Sequence, residues 1–222
     1  MSESAPSAQR LAYLQAQKRR KAAVRFAQLF LLFAFFGLWE LSARMGWIDV
    51  FIVSSPSRVL STLGGLYRSG DLWLHLGTSC FETVVGFTLG TALGTLVAIG
   101  LWWSDFVSRI MDPYLVVLNA LPKTALGPIF IVWIGAGTAS IIAMTLAISI
   151  IVTILNMHLG FLSTDPRKVQ LMRTLGASRW QIFARLVFPS NYATLFNTLK
   201  VNVGLSWVGV IMGEFLVSKA GL

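Results

Sequence analysis

Five long apolar runs govern what this chain can become: Val24–Ala43, Gly77–Trp103, Asp105–Ile134, Ala139–Leu159 and Tyr192–Val217. A helix needs about 20 mostly apolar residues to cross a bilayer, and each run has the length. The 222 residues are 55% hydrophobic and 12% charged, with a mean hydropathy of +0.71. That is too apolar for one soluble core. The fold class predicted is therefore all-α and polytopic, with about five transmembrane helices.

Charge and cysteine content narrow the function. Eighteen Lys and Arg against nine Asp and Glu give a net charge of +9. The bases flank the apolar runs, so membrane topology explains them better than nucleic acid does. Cys80 is the only cysteine, and His75 and His158 lie far apart, which excludes an intrachain disulfide and a Cys/His metal cluster. No GxxxxGK[ST] phosphate loop occurs, so the chain is not itself an ATPase by that route. There is no HExxH, no pair of catalytic acids at helical spacing and no Ser/His/Asp set in reach, which speaks against a membrane-embedded enzyme.

Residues 1–22 are polar and end in Lys18-Arg19-Arg20-Lys21. With Leu11 and Leu14 they suit either an interfacial helix on an anionic leaflet or a disordered basic tail. The first run has the order of a signal peptide, a basic stretch followed by an apolar core. Its length and the lack of an A-x-A site before Arg44 favour an uncleaved anchor. Ser54-Ser55-Pro56-Ser57 predicts a turn, with Val59, Leu60 and Leu63 on a short helix after it.

In the second run Glu82, Gly86, Gly90, Gly94 and Ala98 recur every four residues, one stripe of a helix. Small residues at that spacing let a second helix approach closely. Glu82 on this stripe should face protein or a cavity, in a packing role or a transport role. The third run is broken, because Pro122 and Pro128 fall mid-membrane and each removes a backbone donor. Irregular backbone at that depth must be buried or line a cavity. Lys123 inside it is costly in lipid; it either faces a path or snorkels to an interface or an acid. His158, at the end of the fourth run, is expected at the interface. In the fifth run Asn202, Ser206, Gly209 and Gly213 share one stripe, with Glu214 beside it.

Between the fourth and fifth runs stands Asp165–Pro189, the long polar interruption of the apolar second half. Asp165-Pro166 predicts a helix start. Val169, Met172 and Leu175 keep helical spacing, and Gly176 ends that helix in the left-handed conformation. Ser178 with Gln181 reads as a capping box opening a second helix, with Ile182, Phe183, Leu186 and Val187 on its apolar face. Pro189 is expected to end it.

With the N-terminus inside, twelve of the Lys and Arg residues fall on cytoplasmic segments and four (Arg44, Arg58, Arg68, Lys219) outside. This satisfies the positive-inside rule and puts Asp165–Pro189 in the cytoplasm.

Arg173-Thr174-Leu175-Gly176-Ala177-Ser178, followed by Phe183 and Pro189, resembles the cytoplasmic coupling loop of ABC importer permeases. Gln170-Leu171-Met172 stands where that motif has Glu-Ala-Ala. Leu121–Gly137, LPKTALGPIFIVWIGAG, resembles the family segment P-K-x-A-x-x-P-x-x-x-x-W-x-G-x-G. Pro56-Ser57-Arg58-Val59 is similar to the PSP-x-x-V segment of the nitrate/sulfonate/taurine/pyrimidine-precursor branch, and Gly213-Glu214-Phe215 to its (A/G)-E-F.

The resemblance covers about residue 25 to the end and implies a type I importer permease fold with the permease domain at 23–222. It assigns ATPase coupling to Gln170, Leu171, Met172, Arg173, Leu175, Gly176, Ala177 and Ser178, within a loop of 160–190. A translocation path is expected at Asn119, Pro122, Lys123, Asn202 and Ser206, and helix packing or buried charge at Glu82, Gly86, Gly90, Gly94 and Glu214. The implied partners are two ATPase subunits that bind ATP and Mg, a second permease copy, an extracytoplasmic solute-binding protein and membrane lipid. The chain itself needs no cofactor or metal and does no covalent chemistry. The expected location is the bacterial inner membrane. Relatives continue with G-L-G-Y and a last span, so the chain is expected to be a truncated one. The other reading is an ion-coupled carrier or channel using Glu82, Lys123, Lys200 and Glu214 without an ATPase.

Overall fold

The computed structural model describes residues 8–217. The start of the basic N-terminal segment, Lys219 and the Ala220-Gly221-Leu222 end lie outside the described residues. Among the described residues there is no strand, and four helices are long and apolar enough to cross a membrane: Gln17–Arg44, Asp71–Trp103, Thr138–Leu162 and Tyr192–Val217. The chain divides into two compact units, one ending at Leu72 and one beginning at Trp73.

In the first unit, α1 (Ala8–Arg44) runs without interruption from the basic cluster into the first apolar run. Lys, Arg, Gln, Ala and Leu are all good helix formers, and nothing between them stops the helix. A one-turn α2 (Val50–Val53) follows, with Asp49 as its cap. Next comes α3 (Pro56–Ser69), capped by Ser55 with Pro56 in its first turn. Glu40 of α1 reaches this N-terminus. Its carboxylate accepts the Ser57 N–H at 3.0 Å, the Ser57 hydroxyl at 2.9 Å and Arg44 Nε at 2.9 Å. A carboxylate at a helix start offsets the unpaired N–H groups there.

The second unit is built on three long helices: α4 (Asp71–Trp103), α7 (Thr138–Leu162) and α11 (Tyr192–Val217). The stripe of α4 finds its partner on α7. A methyl group added at Gly86 would lie 2.5 Å from Thr145 Cγ2, at Gly90 2.6 Å from Ser149 Cβ, and at Gly94 2.6 Å from Thr153 Cβ. On the other flank, Gly209 and Gly213 of α11 approach Thr145 and Ile141 to 3.0 Å in the same sense. Lipid gives helices no hydrophobic reason to associate, so close packing and polar bonds must hold them. Both are present. Asn202 Nδ2 donates to Thr91 Oγ1 at 3.0 Å and Thr153 Oγ1 at 2.6 Å, and Ser149 and Ser206 share a hydrogen bond of 3.1 Å.

The third run is broken as its prolines require. α5 (Asp105–Ala120) starts on the Ser104 cap, a 3₁₀ turn occupies Lys123–Leu126, and α6 (Gly127–Ile134) completes the crossing. Neither piece alone reaches the span length, which is why this segment is absent from the four long helices.

Candidate functional site

The loop after α7 folds as two helical parts joined at Gly176. The first, α8 (Pro166–Thr174), is started by Asp165, whose Oδ1 accepts the Arg167 N–H at 2.9 Å. Gly176 follows with φ +78°, where an L side chain is strained. The N–H of Ala177 then returns to the Met172 carbonyl at 3.0 Å. Ser178 and Gln181 form the predicted capping box at 3.3 and 2.8 Å, opening α9 (Arg179–Ile182).

Past α9 the structure departs from the sequence expectation. Phe183–Val187 is a π-helical turn, and α10 (Phe188–Ser190) carries Pro189 in its first turn. Pro189 therefore does not end the helical path, which breaks only at Asn191. A proline collides with the carbonyl four residues back, and the wider turn before it removes that conflict.

The two parts have different surroundings. α8 buries no residue, and Leu171 and Leu175 are 59% and 77% exposed beside the exposed Gln170 and Arg173. Val169, Met172 and Ala177 turn inward onto a cluster of Ala98, Met157, Phe161, Ile182, Phe183 and Val187. Phe183 is the hub of its aromatic part, with ring centroids 5.1 Å from Trp102, 5.4 Å from Phe161 and 5.8 Å from Phe188. The second part of the loop is thus packed into the ends of α4 and α7, while α8 stands free on its outer side. A cleft of 710 Å³ lies between them, lined in part by Trp102, Asp105, Ser108, Arg173 and Arg179.

The expected path residues separate into two groups. Asn119, Pro122 and Lys123 come together at the break between α5 and α6. Lys123 Nζ donates to the Asn119 carbonyl at 2.9 Å and to its Oδ1 at 3.2 Å, a cation placed at a helix C-terminus. Asn202 and Ser206 are wholly buried among α4, α7 and α11, where their hydrogen bonds go to Thr91, Thr153 and Ser149. Glu82 is 0% exposed, and Ser79, one turn before it, donates to Glu214.

Other features were missed in the sequence. Thr145, Ser149 and Thr153 repeat every four residues, the same signal as the glycines they meet. His158 is buried and shares a hydrogen bond of 2.8 Å with Ser108. Arg179 spans two indoles, and no spacing rule points to that.

Residues 90–222 match the family of binding-protein-dependent transport system inner membrane components. The chain belongs to that family. It is similar to the formylaminopyrimidine transport permease protein ThiX of Halalkalibacterium halodurans, 30% identical over 190 residues, which are 83% of this chain and 73% of ThiX. SsuC of Escherichia coli, named for aliphatic sulfonates, is 26% identical over 91% of this chain and 77% of its own. The riboflavin transport system permease protein RibX of Chloroflexus aurantiacus is 26% identical over 83% and 69%. The chain is accordingly a multi-pass membrane permease subunit of an ABC importer, and its role is transport.

Proposed function

We propose that this permease admits a small polar or anionic solute and is driven by a partner ATPase through Asp165–Pro189. The observation that carries the reading is the division of that loop. α8 presents Leu171 and Leu175 unburied, and across Gly176 the second part is packed into the helix ends. A helix open on its outer face and hinged at Gly176 to an anchored part can take up contacts that differ between two ATPase states. Only such a difference shifts an equilibrium; a loop bound equally in both states would shift nothing.

In the arrangement we propose, the N-terminus is cytoplasmic, two copies of the chain share a path, and two ATPase subunits hold ATP and Mg. A solute-binding protein delivers cargo from the other side. Lys123, with Asn119 and Pro122 at the break in the third run, faces the path, and Asn202 and Ser206 hold the wall behind it. The named cargoes of the relatives, a formylaminopyrimidine, aliphatic sulfonates and riboflavin, set the panel to try.

The test is purification of the native complex, then ATPase and uptake assays with and without Gly176→Pro. Proline fixes φ near −65°, opposite in sign to the +78° here. An ATPase that co-purifies, with hydrolysis no longer tied to uptake in the variant, is the expected result. Uptake that follows an ion gradient with no ATPase present refutes the reading. Lys123→Met should leave assembly intact and lower uptake of the carried solute by roughly tenfold, the loss of about one charge-assisted hydrogen bond. Unchanged uptake removes Lys123 from the path.

A further inference from the structure

Arg179 opens α9, yet its side chain belongs to another helix. Its guanidinium carbon lies 5.6 Å from the ring centre of Trp102 and 5.7 Å from that of Trp103, and Nη2 donates to the Trp102 carbonyl at 3.4 Å. Those two tryptophans are the last residues of α4. A helix C-terminus offers unpaired carbonyls and partial negative charge, and an arginine there satisfies both. Two indole faces add cation–π attraction, for which the flat guanidinium suits better than an ammonium. Trp180 closes the contact from the loop side, 6.3 Å from Trp103.

We infer that Arg179 is the positioning residue that fastens the coupling loop to the second long helix, so that motion of α8 enters the bundle through α4 as well as through the flanking α7 and α11. Chain connectivity joins the loop only to α7 and α11, so any pull on α4 must pass through side chains. The apolar contacts of Trp102 with Phe183 hold the two elements together, and Arg179 fixes their direction. α4 is a single helix of 33 residues, about 50 Å long, whose glycines are meshed with α7 over two turns. A pull at Trp102–Trp103 therefore reaches Ser79 and Glu82 at the opposite end. The inference rests on the ATPase-driven reading given above.

The test places a spin label on the exposed side of α4, at Leu96→Cys in a Cys80→Ser background, in the intact complex in nanodiscs. The distance distribution between the two copies' labels is measured without nucleotide and after trapping with MgATP and vanadate. The parent should change its distribution on trapping. In Arg179→Ala the trapped population should fall roughly fivefold, the value of about one kcal/mol of cation–π contact. Arg179→Lys keeps the charge and protects against a folding failure, and it should fall part of the way. Trp103→Leu, which removes one of the two indoles, should lose part of the response, and the double variant should be no worse than Arg179→Ala alone. A full response in Arg179→Ala and Arg179→Lys, or losses that add in the double variant, overturns the role of Arg179. A parent complex that holds an ATPase but shows no trapped change at α4 also overturns it, leaving the ATPase-driven reading intact. A parent complex without an ATPase overturns both.

Discussion

Gly94→Ala is the sharpest test of the packing. The added methyl would sit 2.6 Å from Thr153 Cβ, 2.9 Å from Thr153 Cγ2 and 3.0 Å from the Ile150 carbonyl oxygen. Carbon atoms rest about 3.5–4.0 Å apart, so α4 and α7 must part by about 1 Å. Rotating Thr153 gives no relief, because its Cβ and the Ile150 backbone do not move with the rotamer. Thr153 is also the acceptor for Asn202, whose bond at 2.6 Å would lengthen with the gap. Overpacking of this kind costs about 1–3 kcal/mol, and alanine returns up to about 1 kcal/mol of helix propensity. Because Gly100→Ala gains the same helix propensity, the two variants should differ by the overpacking alone, about 1–3 kcal/mol, at least a fivefold shift in the folded ratio. Gly100→Ala is the control, since nothing lies within 4 Å of its added methyl, and it should be neutral or stabilising. The assay is denaturant unfolding of the purified permease in bicelles for both variants. A Gly94→Ala protein as stable as Gly100→Ala would refute the close approach of α4 to α7.

Asn202→Ala should cost about 1–2 kcal/mol in the same assay, the upper range for polar bonds between membrane helices, because it leaves Thr91 and Thr153 without their shared donor. Stability unchanged in that variant would show that the three-helix junction is held by packing alone. Gly176→Ala should cost about 1–2 kcal/mol of loop conformation from its left-handed φ and raise protease cleavage at Arg173, read by mass spectrometry; an unaltered digest would mean that the turn yields without strain.

Much of this molecule was legible because a bilayer enforces simple rules. The long helices follow from apolar length, and the break at Pro122 and Pro128 from missing donors. The Asp165, Gly176 and Ser178 signals follow from local backbone needs that no distant residue alters. What required coordinates was pairing. The stripe on α4 announces close approach without saying to what, and Asn202 reads equally well as lining a path or joining helices. The π turn at Phe183–Val187 carries Phe183 and Val187 into the buried cluster with Phe161 and Trp102, neighbours far away in sequence. The clasp of Arg179 on Trp102 and Trp103 joins residues 77 positions apart, and neither end carries a local signal.

The glycine hollows on both flanks of α7 also set how this bundle can deform. Thr145 fills the hollow at Gly86 on one side and meets Gly209 on the other, and Ser149 and Thr153 seat at Gly90 and Gly94. These side chains act as teeth of a key. Sliding α7 along its axis by half a turn would lift each tooth out of its hollow and onto the backbone between two glycines. The wall made by α4, α7 and α11 thus resists small axial slides of one helix past another.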